Sequence, residues 1–425
     1  MNPLATWRLL PLLLVLVLSG CATHGQALNR MEGHLLSQQP EQALQALQPL
    51  QGANRNRALY ELNRGMLLRM QGELEASVEA FEKAKTLGLS LDAISISESL
   101  GALTVAENVR SYTPDVHERI LLHVYQALNF LELGEFDAAR VEALQLDLAL
   151  RRLDPATGRA PYGGDAFARY LTGVIYEAAG EWSDAMIAYR LALRTYDEQT
   201  QPAPVSLAAR LLALSDYLDL VDEHAEYRHR FNGIDWAPID LPVTGGEVVV
   251  ILHNGLAPRK YERSVTTQSY DTGQLYRVAL PALRRRPPTV ASFSVHAGEL
   301  QSQGEAAEWV YQLADSALER QLPGLTARAL TRNVARHNAA KRAREENPFL
   351  GFLVNLGGAL SEQADVRSWR TLPDNIQIAR LRLAPGSHTL TVKLWDSAGR
   401  LVEEREIASL NLDEGDLRVV SLHWM

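Results

Sequence analysis

Small residues, aromatics and turn glycines return in one order at three places between Glu61 and Leu193. The segment from Arg169, "RYLTGVIYEAAGEWSDAMIAYRLAL", carries Gly173, Tyr176, Gly180, Ala185, Tyr189 and Ala192. The segment from Glu61 has Gly65, Leu68, Gly72, Ser77, Phe81 and Ala84 at those places, and the one from His123 has Ala127, Phe130, Gly134, Ala139, Ala143 and Leu146. Apolar residues between them recur at three and four, the helical period. The glycine at the centre ends one helix and opens a turn. The small residue before it lets a second helix cross closely, and the large side chains fill the gaps. One such pair cannot bury its own apolar faces, so the units must stack on one another.

The units resemble tetratricopeptide repeats. Their turn glycines, Gly72, Gly134 and Gly180, are 62 and 46 residues apart, against about 34 in a tandem array. The first gap is expected to hold a degenerate unit near "LDAISISESLGALTVAENV", and the second a loop, "LDPATGRAPYGGDA". Residues 205–231 read as a terminal helix covering the last repeat. A non-repeat α-solenoid is the alternative, and it too presents a concave binding face.

The texture changes at "NGIDWAPIDLPVTGG", where Pro238, Pro242, Gly245 and Gly246 mark a boundary. "EVVVILH" is a β-branched run that reads as a buried strand, and "QLYRVAL" and "TVASFSV" follow. The chain is expected to be helical again from about Glu305 to Glu345. "IQIARLRL", "HTLTVKLWD", "RLVEEREI" and "LRVVSLHW" then alternate as strands, with hairpin turns at Pro385-Gly386 and "DSAGR". The expected fold class is α + β and multidomain. A tetratricopeptide-like α-solenoid (21–235) precedes a β-sandwich-like domain (243–425) with a helical insertion at about 303–365, early and late strands pairing with each other.

Cys21 is the sole cysteine of 425 residues. It follows a short basic start, the apolar run Leu9 to Leu18, and Ser19-Gly20. The run is about ten residues, too short to span a bilayer, so residues 1–20 read as a removed export signal. Leu18-Ser19-Gly20-Cys21 resembles the bacterial lipoprotein box. That resemblance implies that Cys21 is lipidated, with acyl chains (palmitate among them) as a membrane anchor, and Ala22 after it implies the outer membrane, periplasmic face. Loss of Arg8 with the leader takes the net charge from −9 to −10, which argues against nucleic-acid binding.

"LHNGLAPRKYE", "EWVYQLADSALERQLPGLTARALTRNVARH" and "SEQADVRSWRTLP" resemble a family of bacterial outer-membrane lipoproteins with tetratricopeptide-like helices and a C-terminal β-domain. That family is often encoded beside a lipoprotein activator of penicillin-binding proteins, which implies a link to peptidoglycan synthesis by association.

The densest polar cluster is "SEQADVRSW", with Glu362, Gln363, Asp365, Arg367 and Trp369. Such a set suits a sugar or peptide, the indole stacking and the charged groups hydrogen-bonding. The structural alternative, favoured here, pairs Asp365 with Arg367 and puts Trp369 in the core. From Arg320 to Arg344 the chain carries seven Lys or Arg and no acid, with Arg328, Arg332 and Arg336 on one helical stripe. The stripe suits lipid phosphates or an acidic partner, or else pairs with acids elsewhere in the chain. "PFLGFLVNLGGAL" is too short to span and reads as a core segment rather than a membrane dip. Asp271-Thr272-Gly273 reads as a hairpin turn. No metal-binding histidine motif, nucleophile elbow or phosphate loop occurs, so no catalytic residue, metal or cofactor is expected. The expected function is a non-catalytic scaffold binding envelope proteins through its repeats. The alternatives are a glycan- or peptidoglycan-binding module and a cell-wall enzyme using Glu362 and Asp365.

Overall fold

Each recurring segment forms two successive helices joined at its glycine. The computed structural model describes residues 25–97, 110–153, 166–239, 245–268 and 275–425. Helix α1 (25–36) and α2 (Pro40–Leu47) precede α3 (Arg57–Met70) and α4 (Leu74–Ser97). Then come α5 (Val116–Leu133) with α6 (Phe136–Leu153), and α7 (Ala166–Ala178) with α8 (Trp182–Glu198). Gly72, Gly134 and Gly180 sit in the turns with φ of 79°, 76° and 72°, a region that disfavours residues with a Cβ. Ala185, Tyr189 and Ala192 are fully buried, and a Cβ on Gly173 would run into the Tyr189 ring. At Gly65 the same Cβ would lie 2.5 Å from Phe81. These contacts make the N-terminal part tetratricopeptide-like. The degenerate-unit and loop segments fall largely outside the described residues, as do residues 1–24 with Cys21.

The terminal helix is two helices, α9 (Val205–Tyr217) and α10 (Val221–Arg230). No glycine marks the break. Asp219 takes the left-handed conformation, φ 53°, and the Leu220 amide donates back to the Ser215 carbonyl at 2.9 Å. Asp tolerates this region better than most residues because its side chain is short.

The strands are β1 (Gly246–Asn254), β2 (Arg259–Gln268), β3 (Leu275–Arg284), β4 (Ser292–Ala297), β5 (Leu300–Gln303), β6 (Glu305–Glu308), β7 (Asn375–Leu383), β8 (Gly386–Trp395), β9 (Leu401–Leu412) and β10 (Leu417–Trp424). They form two four-stranded sheets, ordered β10-β1-β7-β6 and β5-β4-β8-β9, and a separate β2–β3 ribbon. Early and late strands pair, β1 lying parallel to β10 and antiparallel to β7. Residues 305–308 are strand rather than helix: β6 adds to the edge of β7, and pairing overrides a weak local preference. Pro385-Gly386 joins strands of different sheets, so it is not a hairpin turn, whereas "DSAGR" does close the β8–β9 hairpin. The Asp271-Thr272-Gly273 turn lies outside the described residues, between the paired strands β2 and β3. Between β6 and β7 run α11 (Val310–Glu346) and α12 (Pro348–Ser361).

Strand β1 is buried on both faces. Val248, Val250 and Leu252 meet Phe293, Val295, Leu390 and Val392 of the other sheet in one apolar cluster. Val249 and Ile251, with Ile376, Ile378, Leu417 and Val419, belong instead to the core of the helical part. One face of the sheet is therefore continuous with the helix array, and the mixed helical and sheet chain has a shared core.

The core reading of "PFLGFLVNLGGAL" is overturned. In α12, Phe349, Leu350, Phe352 and Leu353 are exposed. The helix meets α11 through its glycines instead: a Cβ on Gly351 would lie 2.6 Å from Arg344.

Candidate functional site

The stretch singled out in the sequence is a strap from α12 to β7 that lies in the seam between helices and sheet. Trp369 is 1% exposed, with its ring edge-on to Phe81 at 5.8 Å and Tyr125 at 5.9 Å. Its indole N–H donates to Thr371 Oγ1 at 2.8 Å, and its backbone N–H donates to Glu118 Oε1 at 2.7 Å. Arg367 grips Asp365 at 2.5 Å, donates to Asn56 Oδ1 at 2.8 Å, and lies over the Tyr112 ring. Arg370 reaches Asn29 and Glu32 of α1. The strap thus ties α1, the α2–α3 connection and α5 to the sheet. Gln363 is exposed on it.

Glu362 is fully buried. Arg332 donates to it at 2.7 Å and Arg336 at 2.5 Å. Two of the three stripe arginines therefore neutralise an acid of the same hairpin; Arg328, one turn earlier on α11, is partly buried and also engaged. Trp369 presents no face on which a sugar could stack, and Glu362 is sealed from any substrate. The strap as described is architecture.

A titratable cluster supports it at the start of α5. Asp115 caps the helix, accepting from Lys260 at 2.6 Å and from Gln321 at 3.0 Å. Burial works against the Asp115 carboxylate, but Lys260 beside it holds it down at about 2. Burial, reinforced by Asp115, pushes Glu118 up to about 7 against the pull of Lys260 and of its hydrogen bonds from Trp369 and Tyr112. Burial takes His117 down to about 4. Among the described residues, Asp115, His117 and Glu118 form a group spaced to hold a metal ion. The Lys260 ammonium already supplies the positive charge there, and both Glu118 oxygens accept from protein donors.

Two further polar clasps cross the seam, and sequence reading missed both. Arg380 on β7 pairs with Glu177 of α7 at 3.0 Å and with Glu247 of β1 at 2.7 Å, and Arg210 of α9 joins Glu177 at 2.5 Å. At the other end His253 meets the Tyr125 hydroxyl at 3.1 Å and stacks on His423, while Arg69 donates to Ser421 at 2.6 Å. Burial holds both histidines well below their ordinary range. A signal was present: "VVVIL" is apolar on both faces, as in strands covered on both sides. Ile376, Ile378 and Arg380 then share the helix-facing side.

With that seam closed, the face of the array carrying Tyr125 and Glu177 is occupied by the chain's own sheet. The open surfaces lie elsewhere. Val141, Leu144 and Leu148 form an exposed apolar stripe along α6, and Ile187 is exposed on α8. On one side of the stripe a groove of about 520 Å³ is lined by Lys85, Ile120, Leu122, His123, Leu148 and Ala149. On the other, a groove of about 150 Å³ between α6 and α8 includes Leu144, Tyr176 and Ile187. Such surfaces can seat a peptide or a helix. Among the described residues no helix is long and apolar enough to cross a membrane.

No family model matches the chain, and no curated protein matches it. Among solved structures it is similar to MamA from Desulfovibrio magneticus RS-1, at 17% identity over 49% of this chain and 93% of that one, TM-score 0.34. It is similar also to a tetratricopeptide repeat protein from Parabacteroides merdae, at 15% identity over 49% of this chain and 66% of that one, TM-score 0.33. The apo form of RapI aligns at 11% identity over 49% of this chain and 68% of that one, TM-score 0.37. At this identity and TM-score the likenesses say nothing of activity or partner.

Proposed function

We propose that the protein is a non-catalytic scaffold of the bacterial envelope, anchored to the outer membrane through a lipidated Cys21 and binding envelope proteins along α6 and α8. The observation that carries the binding part is the exposed stripe Val141, Leu144 and Leu148 between two grooves. Monomeric proteins rarely leave such a line of large apolar residues in water without a partner. The partner surface is the outer flank of the repeats, because the chain's own sheet covers the side carrying Tyr125. The β-domain, a sandwich-like pair of sheets in this reading, serves as the platform that stiffens the array. The family resemblance directs the partner search to peptidoglycan-synthesis proteins.

Two experiments test the two parts separately. Cys21→Ser should leave the chain unprocessed or release it into the periplasm; a processed chain that still fractionates with outer membranes would refute the anchor. Leu144→Asp with Leu148→Asp should abolish crosslinking to the envelope partner while melting is unchanged. Retention of every crosslinked partner by that variant would refute the docking surface.

A further inference from the structure

Where α9 faces β1, β5 and β7, the seam widens into a cleft of about 410 Å³, within the ~300–1,000 Å³ of small-ligand sites. Its floor is fixed by the chain itself. Arg380 is held by Glu177 and Glu247, and Glu305 accepts from the Ser206 backbone N–H at 3.0 Å and from its hydroxyl at 2.7 Å. Arg210 is 6% exposed; its Nη2 is committed to Glu177, and its Nε has no acceptor. A buried donor left over in this way is one that a ligand hydroxyl or an ordered water satisfies. The rim is different. Asp235, Trp236, Ser302, Gln303 and Arg382 line the cleft, and their side chains make no hydrogen bond or ion pair with any described residue. Trp236 is half-buried, and its ring meets His224 at 5.3 Å with the two planes 70° apart. His224 is held in turn by Ser215 at 3.0 Å, so the indole is fixed in place.

We propose that this cleft binds a neutral saccharide. The uncommitted groups select that class. Asp235 and Arg382 cancel in charge, and the floor guanidiniums already face Glu177 and Glu247. An anion needs donors alone, and here it would meet Asp235 and Glu305. A cation would meet Arg210 and Arg382. An apolar ligand would strip water from these charges and gain only Val205, Ala209 and Ala237. A sugar hydroxyl both donates and accepts, so it suits a carboxylate, a guanidinium, an amide and a hydroxyl set around one aromatic ring. The C–H face of the sugar then lies on the indole, which offers an apolar body with one polar edge. Trp369, sealed in the core, cannot take this part, whereas Trp236 lines the open cleft. The site is separate from the α6 stripe and does not depend on the scaffold reading.

The test is saturation-transfer NMR on the full chain, in a detergent without a sugar headgroup. The probes are chitotriose and maltotriose, with glucuronate as the charged counterpart. Transfer to at least one neutral trisaccharide is expected, strongest at its ring C–H protons, and which one responds tells acetamido sugars from plain hexoses. Trp236→Ala should weaken binding about tenfold. Gln303 is exposed on the edge strand β5, so Gln303→Ala should melt like the unaltered chain and still bind about fivefold more weakly, the effect of one lost hydrogen bond. Transfer to neither trisaccharide at millimolar concentration overturns the proposal. So does a preference for glucuronate, which would identify an anion site. Binding that both variants leave unchanged overturns it too, because the sugar would then sit elsewhere.

Discussion

Trp369→Ala should weaken the whole molecule rather than one half of it. The indole is 1% exposed and lies among residues of α4, α5 and the strap. Truncating a buried Trp to Ala costs about 3–5 kcal/mol, a transfer term plus a cavity term. This site is expected at the upper end, because Phe81 and Tyr125 are held by their own contacts and cannot collapse into the space. Trp369→Phe keeps a ring there and should cost less, mainly through Thr371 losing its indole donor, about 1–3 kcal/mol. The assay is urea unfolding followed by circular dichroism for the helices and by hydrogen exchange for β1 and β7. Both signals should shift together to lower urea, because Phe81, Tyr125, Val249, Ile251 and Trp369 share one core. An unchanged midpoint would refute the buried position of Trp369. A shift in one signal alone would refute the shared core.

Glu362→Gln should destabilise by about 3–5 kcal/mol, since it leaves buried Arg332 unpaired, and Glu362→Leu with Arg332→Met should recover most of the loss; equal melting of single and double variants would count against the pair. Gly173→Ala should cost roughly 1–3 kcal/mol by forcing the Tyr189 ring aside, a ring whose hydroxyl is fixed on Glu177 at 2.5 Å, whereas Gly33→Ala in α1, with open space around it, should stabilise by about 0.5–1 kcal/mol; a thermal melt of each decides. Because burial depresses the folded-state pKa of His253, the unfolded chain takes a proton that the folded chain refuses. Its contribution to stability is therefore present above the ordinary imidazole range near 6.5 and is lost as pH falls below it. His253→Phe should flatten that acid slope by one proton, and an unchanged slope would show that the ring titrates freely. Glu118 has the opposite sign: its raised carboxyl makes stability fall as pH climbs from about 4.5 to about 7, and Glu118→Gln should remove that fall in the same melts.

Local chemistry legible in the sequence accounts for most of the elements. Gly72, Gly134 and Gly180 end helices because a left-handed turn residue is needed there and glycine adopts it without strain. Gly65 and Gly173 mark close crossings because a Cβ would strike Phe81 or Tyr189. The alternating runs after Asn375 became strands for the same local reason. The break at Asp219 was not legible, since an aspartate in a left-handed turn leaves no distinctive pattern. Only the tertiary structure decided what each apolar surface touches. "PFLGFLVNLGGAL" and "EVVVILH" are both apolar runs, yet the strand is buried on two faces and the helix is left open. Hydrophobicity states that a surface prefers to leave water; it does not say which neighbour is within reach. The glycines of α12 face α11, so its phenylalanines face outward. Likewise "SEQADVRSW" leaves both a ligand site and the favoured scaffold open in sequence, because one set of hydrogen-bonding groups serves either purpose. Its partners, Phe81, Tyr125, Glu118 and Arg332, come from distant parts of the chain, and the fold alone brings them to it.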